Sequence, residues 1–212
     1  MQMVRPSLRR VPGTDQRPLA ADDPALRASD RLADARDAVA VADIDPAAEV
    51  NRTTVLDFVD AHDDALHRSC REGHLTGSVL VVDDAGERIV VLHHRKLGRW
   101  LQPGGHCDGD ANLAAVALRE ATEETGIEGL QVVPVAVDVD VHEVAPLDDG
   151  PHLHLDVRYL VLAPPGSEPR GNHESNEIRW ATLEELEDLD LDAGTWRMVH
   201  HGLARRRELA RR

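Results

Sequence analysis

Residues 105–127 read GHCDGDANLAAVALREATEETGI, a loop rich in glycine and aspartate followed by a run of helix-forming residues. From Ala114 onward, small and apolar residues recur at intervals of three and four, which predicts a helix with one buried face over residues 111–125. We expect Asp110 to cap the N-terminus of this helix and Gly126 to end it. The stretch therefore predicts a tight loop that leads into an amphipathic helix.

Three glutamates, Glu120, Glu123 and Glu124, share a second face of this helix, because side chains three and four residues apart are neighbours. They repel one another near the helix C-terminus, where the macrodipole favours cations, at a cost of up to about 1 kcal/mol for each effect. A divalent cation would reverse this cost, and carboxylate oxygens suit Mg²⁺ or Mn²⁺. The alternative interpretation is an exposed, glutamate-rich helix end that binds nothing.

The same stretch resembles the Nudix box, Gly-x5-Glu-x7-Arg-Glu-U-x-Glu-Glu-x-Gly-U, in which U is an apolar residue. The matching positions are Gly105, Arg119, Glu120, Glu123, Glu124, Gly126 and Ile127, with the small Ala121 at the first U. The preceding residues 100–105, WLQPGG, also resemble the family. One position departs from the pattern, because the first glutamate of the box falls on Ala111. This departure weakens one metal position or shifts its task to Asp108 or Asp110.

The resemblance implies an α/β/α sandwich with a mixed sheet, and Mg²⁺-dependent (or Mn²⁺-dependent) hydrolysis of a nucleoside diphosphate linked to another group. By position, it implies that the metal ligands are the carboxylates of Glu120, Glu123 and Glu124 and the carbonyl of Gly104 or Gly105. Arg119, which would orient and pair with a glutamate, and Glu120 are the catalytic candidates on the helix.

A carboxylate from a downstream loop often serves this family as a base or as an extra metal ligand. In the segment NHESNE, residues 172–177, the candidates are Glu174 and Glu177. Solvated loop residues with no role in catalysis are the alternative.

Two segments downstream of the helix alternate polar and apolar residues, 138–142 and 152–159. If they pair as antiparallel strands across a turn at residues 146–151, one face carries a polar wall of Asp138, Asp140, His142, His152, His154, Asp156 and Arg158. Three interpretations of this polar wall are open. As a substrate wall, it would use Arg158 to bind a phosphate and His142, His152 and His154 to bind phosphate or sugar hydroxyls. The three histidines would alternatively hold a second metal ion, and a solvent-facing sheet surface would show the same pattern.

The remaining pattern divides the chain into a tail without ordered structure (1–23), an N-terminal helical appendage (24–73) and a catalytic α/β domain (74–212). The appendage is predicted to contain helices over 24–41 and 46–73. Strands are predicted over 77–82 and 87–92, joined by a hairpin at Asp83–Gly86, and over 131–144, 152–163 and 177–181. Two helices, over 182–189 and 192–210, are expected to end the fold. This order predicts a mixed α/β layered domain.

The chain of 212 residues carries 24 basic and 39 acidic residues, for a net charge of −15. Residues 51–196 hold 11 of the basic and 29 of the acidic residues. A body this acidic repels a nucleic-acid backbone, so nucleic acid is not the expected partner. The resemblance implies a small nucleotide derivative instead. Residues 197–212 hold six arginines and one acidic residue. These cations would complement the dipole at a helix C-terminus or, alternatively, contact the acidic body of a second copy in a homodimer.

The apolar runs and the cysteines of the sequence indicate where in the cell the protein is expected. The sequence has no apolar run of 18 residues, so no membrane span is expected. Its two cysteines, Cys70 and Cys107, lack the CxxC spacing of thiolate zinc sites, and a cytoplasmic location is expected.

Two functions of different classes remain open. The first is an active pyrophosphohydrolase, favoured by the intact Glu120, Glu123 and Glu124. The second is a Nudix-fold nucleotide-binding or sensor module without turnover, favoured by Ala111. Hydrolysis of nucleic-acid ends is a third hypothesis, which the acidic body of the chain disfavours.

Overall fold

The computed structural model describes residues 16–145 and 150–211, and the strands within these residues form one nine-stranded sheet. The strands are β1 (Leu19–Ala20), β2 (Gly73–Val82), β3 (Arg88–His94), β4 (Arg99–Leu101), β5 (Gly104–His106), β6 (Gln131–Val132), β7 (Asp138–Val144), β8 (His152–Leu162) and β9 (Ser175–Thr182). The helices are α1 (Leu32–Ala40), α2 (Glu49–Ala61), α3 (Leu113–Thr125), α4 (Leu183–Glu187) and α5 (Ala193–Leu209).

The sheet is mixed, as predicted, and β2 lies at its centre. β2 pairs in parallel with β8 along its whole length and antiparallel with both β3 and β5. The continuous path runs β1-β6-β8-β2-β3-β4, while β7 pairs with β8 and β9 pairs with β3. Two predicted elements come out differently. The segment 131–144 forms two strands, β6 and β7, and β2 begins at Gly73, four residues before the predicted start.

Helices cover both faces of this sheet. On one face, Leu75, Val79 and Val81 of β2 join the same apolar core as side chains of α1, α2 and α3. On the other, Leu80 and Val82 pack in a second core with side chains of α4 and α5. Alternate residues of one strand thus serve two cores, which explains why β2 is buried at every position. The predicted helix–sheet–helix layering is confirmed.

The predicted hairpin between β2 and β3 is present. The carboxylate of Asp83 accepts hydrogen bonds from the backbone N–H groups of Glu87 and Arg88 at 2.9 and 3.1 Å. Gly86 has a φ of +77°, a left-handed conformation that glycine adopts without strain. Asp83 and Gly86 therefore form the turn that the sequence predicted.

The two N-terminal helices are shorter than predicted. Asp23 and Asp45 do cap helical turns, but each turn is a short 3₁₀ segment, Pro24–Leu26 and Pro46–Ala48. α1 then starts only at Leu32, and α2 ends at Ala61 because His62 takes an extended conformation, whereas the prediction carried this helix to residue 73. Both helices nevertheless bury one apolar face in the core shared with α3.

The predicted cap of α3 is wrong. The side chain of Asn112 accepts a hydrogen bond from the backbone N–H of Ala115 and caps the helix, which starts at Leu113. The carboxylate of Asp110 binds the backbone N–H groups of Ser29 and Asn112 instead, at 3.0 and 2.9 Å. Because Asp110 binds the backbone of Ser29, which is distant in the sequence, Asn112 caps the helix instead. Gly126 ends the helix with a φ of +63°, as predicted.

The expectations for the chain ends and the 146–151 turn are tested only in part. The expected unordered tail is wrong for Leu19 and Ala20, which form β1 against β6, while residues 1–15 lie outside the described residues. So do residues 146–149 of the expected turn before β8, and residue 212 of the basic C-terminus. Among the helices of the described ranges, none has the length and apolar character needed to cross a membrane.

Candidate active site

Two glycines let the loop before α3 lie against both the sheet and the helix. Gly104 and Gly105 of β5 pair with Ser78 and Gly77 of β2. A Cβ atom at Gly104 would overlap the Ser78 side chain, and one at Gly105 would overlap the carboxylate of Glu120. The backbone of this loop can therefore lie in direct contact with Glu120 only because Gly104 and Gly105 have no side chains.

Glu124 is the buried member of the three glutamates, with 6% of its surface exposed. Its Oε2 accepts a hydrogen bond of 2.9 Å from the backbone N–H of Gly104. Burial raises its pKa to about 7, the Gly104 hydrogen bond opposes that shift, and the nearby Glu174, Glu120 and Glu123 add to it. The fold thus holds a carboxylate where its charged form is poorly stabilised, which is the environment that a cation would relieve.

Arg119 pairs with Glu120, as the resemblance implied. The guanidinium donates to Oε1 of Glu120 at 2.9 Å and to the backbone carbonyl of His106 at 3.0 Å. Burial raises the pKa of Glu120, while Arg119 lowers it and Glu123 raises it further. Arg119 therefore fixes one box carboxylate relative to β5.

The structure separates the two downstream candidates. Glu174 lies near enough to Glu124 to raise its pKa, and in the same loop the side-chain amide of Asn172 donates to the backbone carbonyl of Glu123 at 3.3 Å. Glu177 instead lies on β9 opposite His93 and forms an ion pair with Arg179 at 3.8 Å. The loop therefore brings Glu174, and not Glu177, toward the glutamates of α3, where Glu123 is the exposed member.

The N-terminal segment occupies the surroundings of Ala111, the position at which the box has its first glutamate. Ala111 is 1% exposed, and its backbone N–H donates to the carbonyl of Ser29 at 2.6 Å. Asp108 forms a bidentate ion pair with Arg68, both bonds 2.8 Å long, and Asp110 is occupied by backbone N–H groups. The expectation that Asp108 or Asp110 takes over the missing carboxylate is therefore unsupported, since both are committed elsewhere.

The predicted polar wall is present, because β7 and β8 pair antiparallel with Asp138 opposite Arg158 and His142 opposite His154. Its arginine does not have the expected environment. Arg158 is 2% exposed and donates to Asp156, Asp138 and Asp140 at 2.7, 3.2 and 3.1 Å. Every nitrogen of its guanidinium is engaged, so the assignment of Arg158 to a substrate phosphate is corrected to a structural role in an ion network that Arg197 of α5 extends.

His142 stays accessible at the end of this network, with 41% of its side chain exposed. Its Nδ1 lies 3.1 Å from Oδ2 of Asp140, and this hydrogen bond raises the pKa of the imidazole. It remains a candidate for contact with an anionic substrate.

The ring of His154 lies 5.6 Å from that of His142. Together with His152, it joins His74 of β2 and His106 of β5 in a group that we call the histidine cluster. Ring centroids within it lie 4.9 to 5.3 Å apart. The sequence prediction missed His74 and His106. The usable signal was the alternation of polar residues His74, Thr76 and Ser78, which begins before the predicted start of β2.

The histidine cluster predicts a pH-dependent loss of stability. Burial, with His106 and His74, lowers the pKa of His154 to about 2, whereas an unfolded histidine binds a proton below about pH 6.5. The contribution of neutral His154 is therefore present above that pH and lost as the pH falls. Between pH 7 and 5 we expect His154 to remove about 2 kcal/mol from the free energy of unfolding.

Urea unfolding of the wild-type chain and of His154→Gln, at pH 7 and 5 with EDTA, measures this contribution. The wild-type chain should lose about 2 kcal/mol more than the variant. Equal losses in the two proteins would contradict the placement of a neutral His154 in the cluster.

Comparisons with known proteins agree with this architecture. The family model of the NUDIX domain matches residues 74–202. An Ap4A hydrolase of C. elegans, solved as a binary complex, has a TM-score of 0.52 and 18% identity, over 63% of this chain and 98% of that chain. At that identity, the likeness concerns the fold alone.

Two relatives resemble the sequence more closely. A Mycobacterium tuberculosis protein with the provisional name 8-oxo-dGTP diphosphatase 3 is 33% identical over 116 residues, 51% of either chain. A CMP-5'-(N-acetyl-N-hydroxy-3-aminopropyl)phosphonate hydrolase of Streptomyces rubellomurinus is 30% identical over 120 residues, 53% of either chain. The matched region thus spans about half the length of these relatives.

Proposed function

This chain belongs to the Nudix family, and from that premise we propose that it is a Mg²⁺- or Mn²⁺-dependent pyrophosphohydrolase. Its substrate would be a nucleoside diphosphate linked to another group. One observation carries the proposal: Glu124 is buried on α3, bonded to the Gly104 N–H, beside Glu120 that rests against Gly105. Oxygen donors are thereby gathered between a helix and a glycine loop.

The donor set fits a hard divalent cation. Its proposed members are all oxygen ligands: the carboxylates of Glu120, Glu123 and Glu124 and the carbonyl of Gly104 or Gly105. The elevated pKa of Glu124 and the bare backbone at Gly105 are the observations that support this fit. When bound, the cation would neutralise the pyrophosphate and supply a water-derived nucleophile for attack at phosphorus.

The chain's own residues position these groups. Arg119 holds Glu120 against the loop by donating to both its carboxylate and the His106 carbonyl. The Gly104 N–H holds Glu124 in a second fixed position. Glu174 is the proposed general base or additional ligand, since its charge acts on Glu124. Most of the rate acceleration in phosphoryl chemistry comes from positioning and electrostatics of this kind.

The names of the two sequence relatives support a nucleotide substrate, since each specifies a nucleotide. All five aromatic side chains pack against the two cores and none is fully exposed: Phe58, Trp100, Tyr159, Trp180 and Trp196. We therefore expect relaxed base selection, with recognition resting on polar groups such as His142.

Purine and pyrimidine forms of one substrate should differ by less than about tenfold in kcat/KM, the effect of about 1.4 kcal/mol. Strict purine selectivity in that comparison would contradict the expectation.

A substrate panel tests the proposed function. ADP-ribose, a dinucleoside tetraphosphate, nucleoside triphosphates and sugar nucleotides are each incubated with the chain and Mg²⁺ or Mn²⁺, and the products are separated by anion exchange. The proposal predicts metal-dependent products that differ from one substrate by cleavage of a phosphate–phosphate bond. Failure to turn over any member, while one of them raises the melting temperature, would favour the second candidate, a nucleotide-binding or sensor module, which the buried Ala111 supports.

We also propose that residues 74–212 carry the catalytic domain and that residues 24–73 form an appendage on it. The family match over 74–202 supports this division. The N-terminal segment is bound closely to the box loop, because the side-chain amide of Asn112 donates to the carbonyls of Ala25 and Arg27 at 2.9 and 3.0 Å. The appendage would then support the loop rather than bind substrate.

A further inference from the structure

Three histidines on two neighbouring strands bring their ring nitrogens together. His74 of β2 lies directly opposite His154 of β8 in the parallel ladder, and His152 lies two residues before His154 on the same face. One nitrogen from each ring lies within 4.8 Å of one from each of the other two. The register of the central strand pair therefore builds a triangle of imidazoles.

His74 lacks the partners that a buried histidine normally has. It is 3% exposed, and neither of its ring nitrogens makes a hydrogen bond of good geometry within residues 16–145 and 150–211, although the Cys70 backbone lies close enough to raise its pKa. A buried polar atom without a partner costs about 1–3 kcal/mol, so most such atoms in proteins are bonded to something. The exception indicates that a ligand belongs beside this ring.

The other two rings are prepared to act as ligands. Nδ1 of His152 lies 3.0 Å from the carbonyl of Gly150. If Nδ1 carries the proton and donates it there, the lone pair of Nε2 is free, which is the arrangement typical of metal-bound histidines. Burial lowers the pKa of His154 to about 2 and also lowers the pKa of His74, an effect that the Cys70 backbone opposes. Neutral imidazole is the form that binds metals.

We propose that His74, His152 and His154 form a binding site for a zinc-type transition-metal dication, which links β2 to β8 and is separate from the carboxylates of α3. Imidazole nitrogens suit Zn²⁺ and its neighbours and are poor ligands for Mg²⁺. Tetrahedral zinc with bonds of about 2.0–2.1 Å needs nitrogens about 3.3 Å apart, so the three rings would close inward on the ion. The ring of His106, 5.0 Å from His74 and 5.2 Å from His154, stands next to the fourth position.

Zinc binding by the untagged, EDTA-stripped chain tests this proposal. Zn²⁺ is titrated calorimetrically in excess Mg²⁺, which occupies the carboxylates of α3, and bound zinc is counted by elemental analysis after dialysis. We expect one zinc ion per chain. His74→Leu and His154→Gln should each weaken binding at least 100-fold, since removal of a mere supporting partner already costs 10–100-fold.

Two controls make the result specific. His200→Leu changes an exposed histidine on α5 and should leave zinc binding unchanged. Cys70→Ser breaks the other group of metal-binding side chains among the described residues, His62, Cys70 and Glu72, and should also leave it unchanged. His74→Leu should keep or raise the metal-free melting temperature of the wild-type chain, because it removes two buried polar atoms that lack a partner.

Three outcomes would overturn the proposal. They are no zinc uptake by the wild-type chain, unchanged uptake by folded His74→Leu, and loss of uptake in Cys70→Ser but not in the histidine variants. Circular dichroism of His74→Leu and His154→Gln verifies that the comparison is made between folded proteins.

Discussion

Replacement of Glu124 by glutamine is expected to reduce kcat on any substrate of the panel by about 10²–10³-fold, the usual effect of removing one key electrostatic group. Glutamine has nearly the same shape and can still accept the Gly104 hydrogen bond, but it removes the charge that the cation needs. Because burial raises the pKa of Glu124 to about 7, the neutral side chain should leave the melting temperature at pH 7.5 unchanged or raise it. Lost turnover in an intact fold is the expected combination.

Glu128→Gln is the matched control, since it removes an exposed carboxylate just beyond the end of α3. Its kcat should stay within about twofold of the wild-type value, because an exposed, solvated charge contributes little. Turnover of Glu124→Gln within threefold of wild type, measured at the same Mg²⁺ concentration, would contradict the assignment of Glu124 to the metal site.

Ala111→Glu, which restores the first glutamate of the box, is expected to lower the free energy of unfolding by about 3–5 kcal/mol, the cost of an uncompensated buried charge. Ala111 is 1% exposed, and the segment around Ser29 lies against its backbone. A longer side chain there must displace that segment or enter the adjoining cavity, whose lining includes the like-charged Asp34 as well as Arg27. The substitution should therefore fail to increase turnover.

Urea unfolding of Ala111→Glu beside Ala47→Glu measures the effect. Ala47 is exposed in the turn before α2, and the same chemical change there should alter the free energy of unfolding by less than about 0.5 kcal/mol. A stable Ala111→Glu with raised metal affinity would mean that the N-terminal segment leaves this position free, contrary to the structure.

Local signals predicted most of the elements, because they depend on neighbours in sequence. The Asp83–Gly86 turn, the end of α3 at Gly126 and the pairing of Arg119 with Glu120 are decided within a few residues. The alternation of 138–142 and 152–159 likewise placed the polar wall on one face, because side chains alternate along strands.

Long-range contacts account for what the sequence left out. Asp110 does not cap α3, because the backbone of Ser29, 81 residues earlier, uses its carboxylate. Arg158 does not face a phosphate, because Asp138 and Asp140 of the neighbouring strand, together with Asp156, surround it. Such competition between equally plausible partners is settled by the tertiary fold and has no local pattern.

The sequence predicted the candidate site only in part. The spacing on α3 placed the three glutamates on one face, and the structure adds that Glu124 is buried while Glu123 is exposed. The choice of Glu174 over Glu177 depends on how the loop before β9 returns to α3. The histidine cluster depends on the parallel pairing of β2 and β8, whose sequences are about 80 residues apart, and no spacing rule predicts that pairing.

Hydrolysis in water enriched in ¹⁸O tests most directly whether this chain is a metal-dependent hydrolase that directs water to phosphorus. The first substrate cleaved in the panel is incubated with Mg²⁺ or with EDTA, and the products are examined by mass spectrometry. We predict one ¹⁸O atom per turnover, located on a phosphorus-containing product, and no turnover in EDTA. Turnover that persists undiminished in EDTA, ¹⁸O on a carbon-bound hydroxyl, or the absence of any substrate would contradict the account.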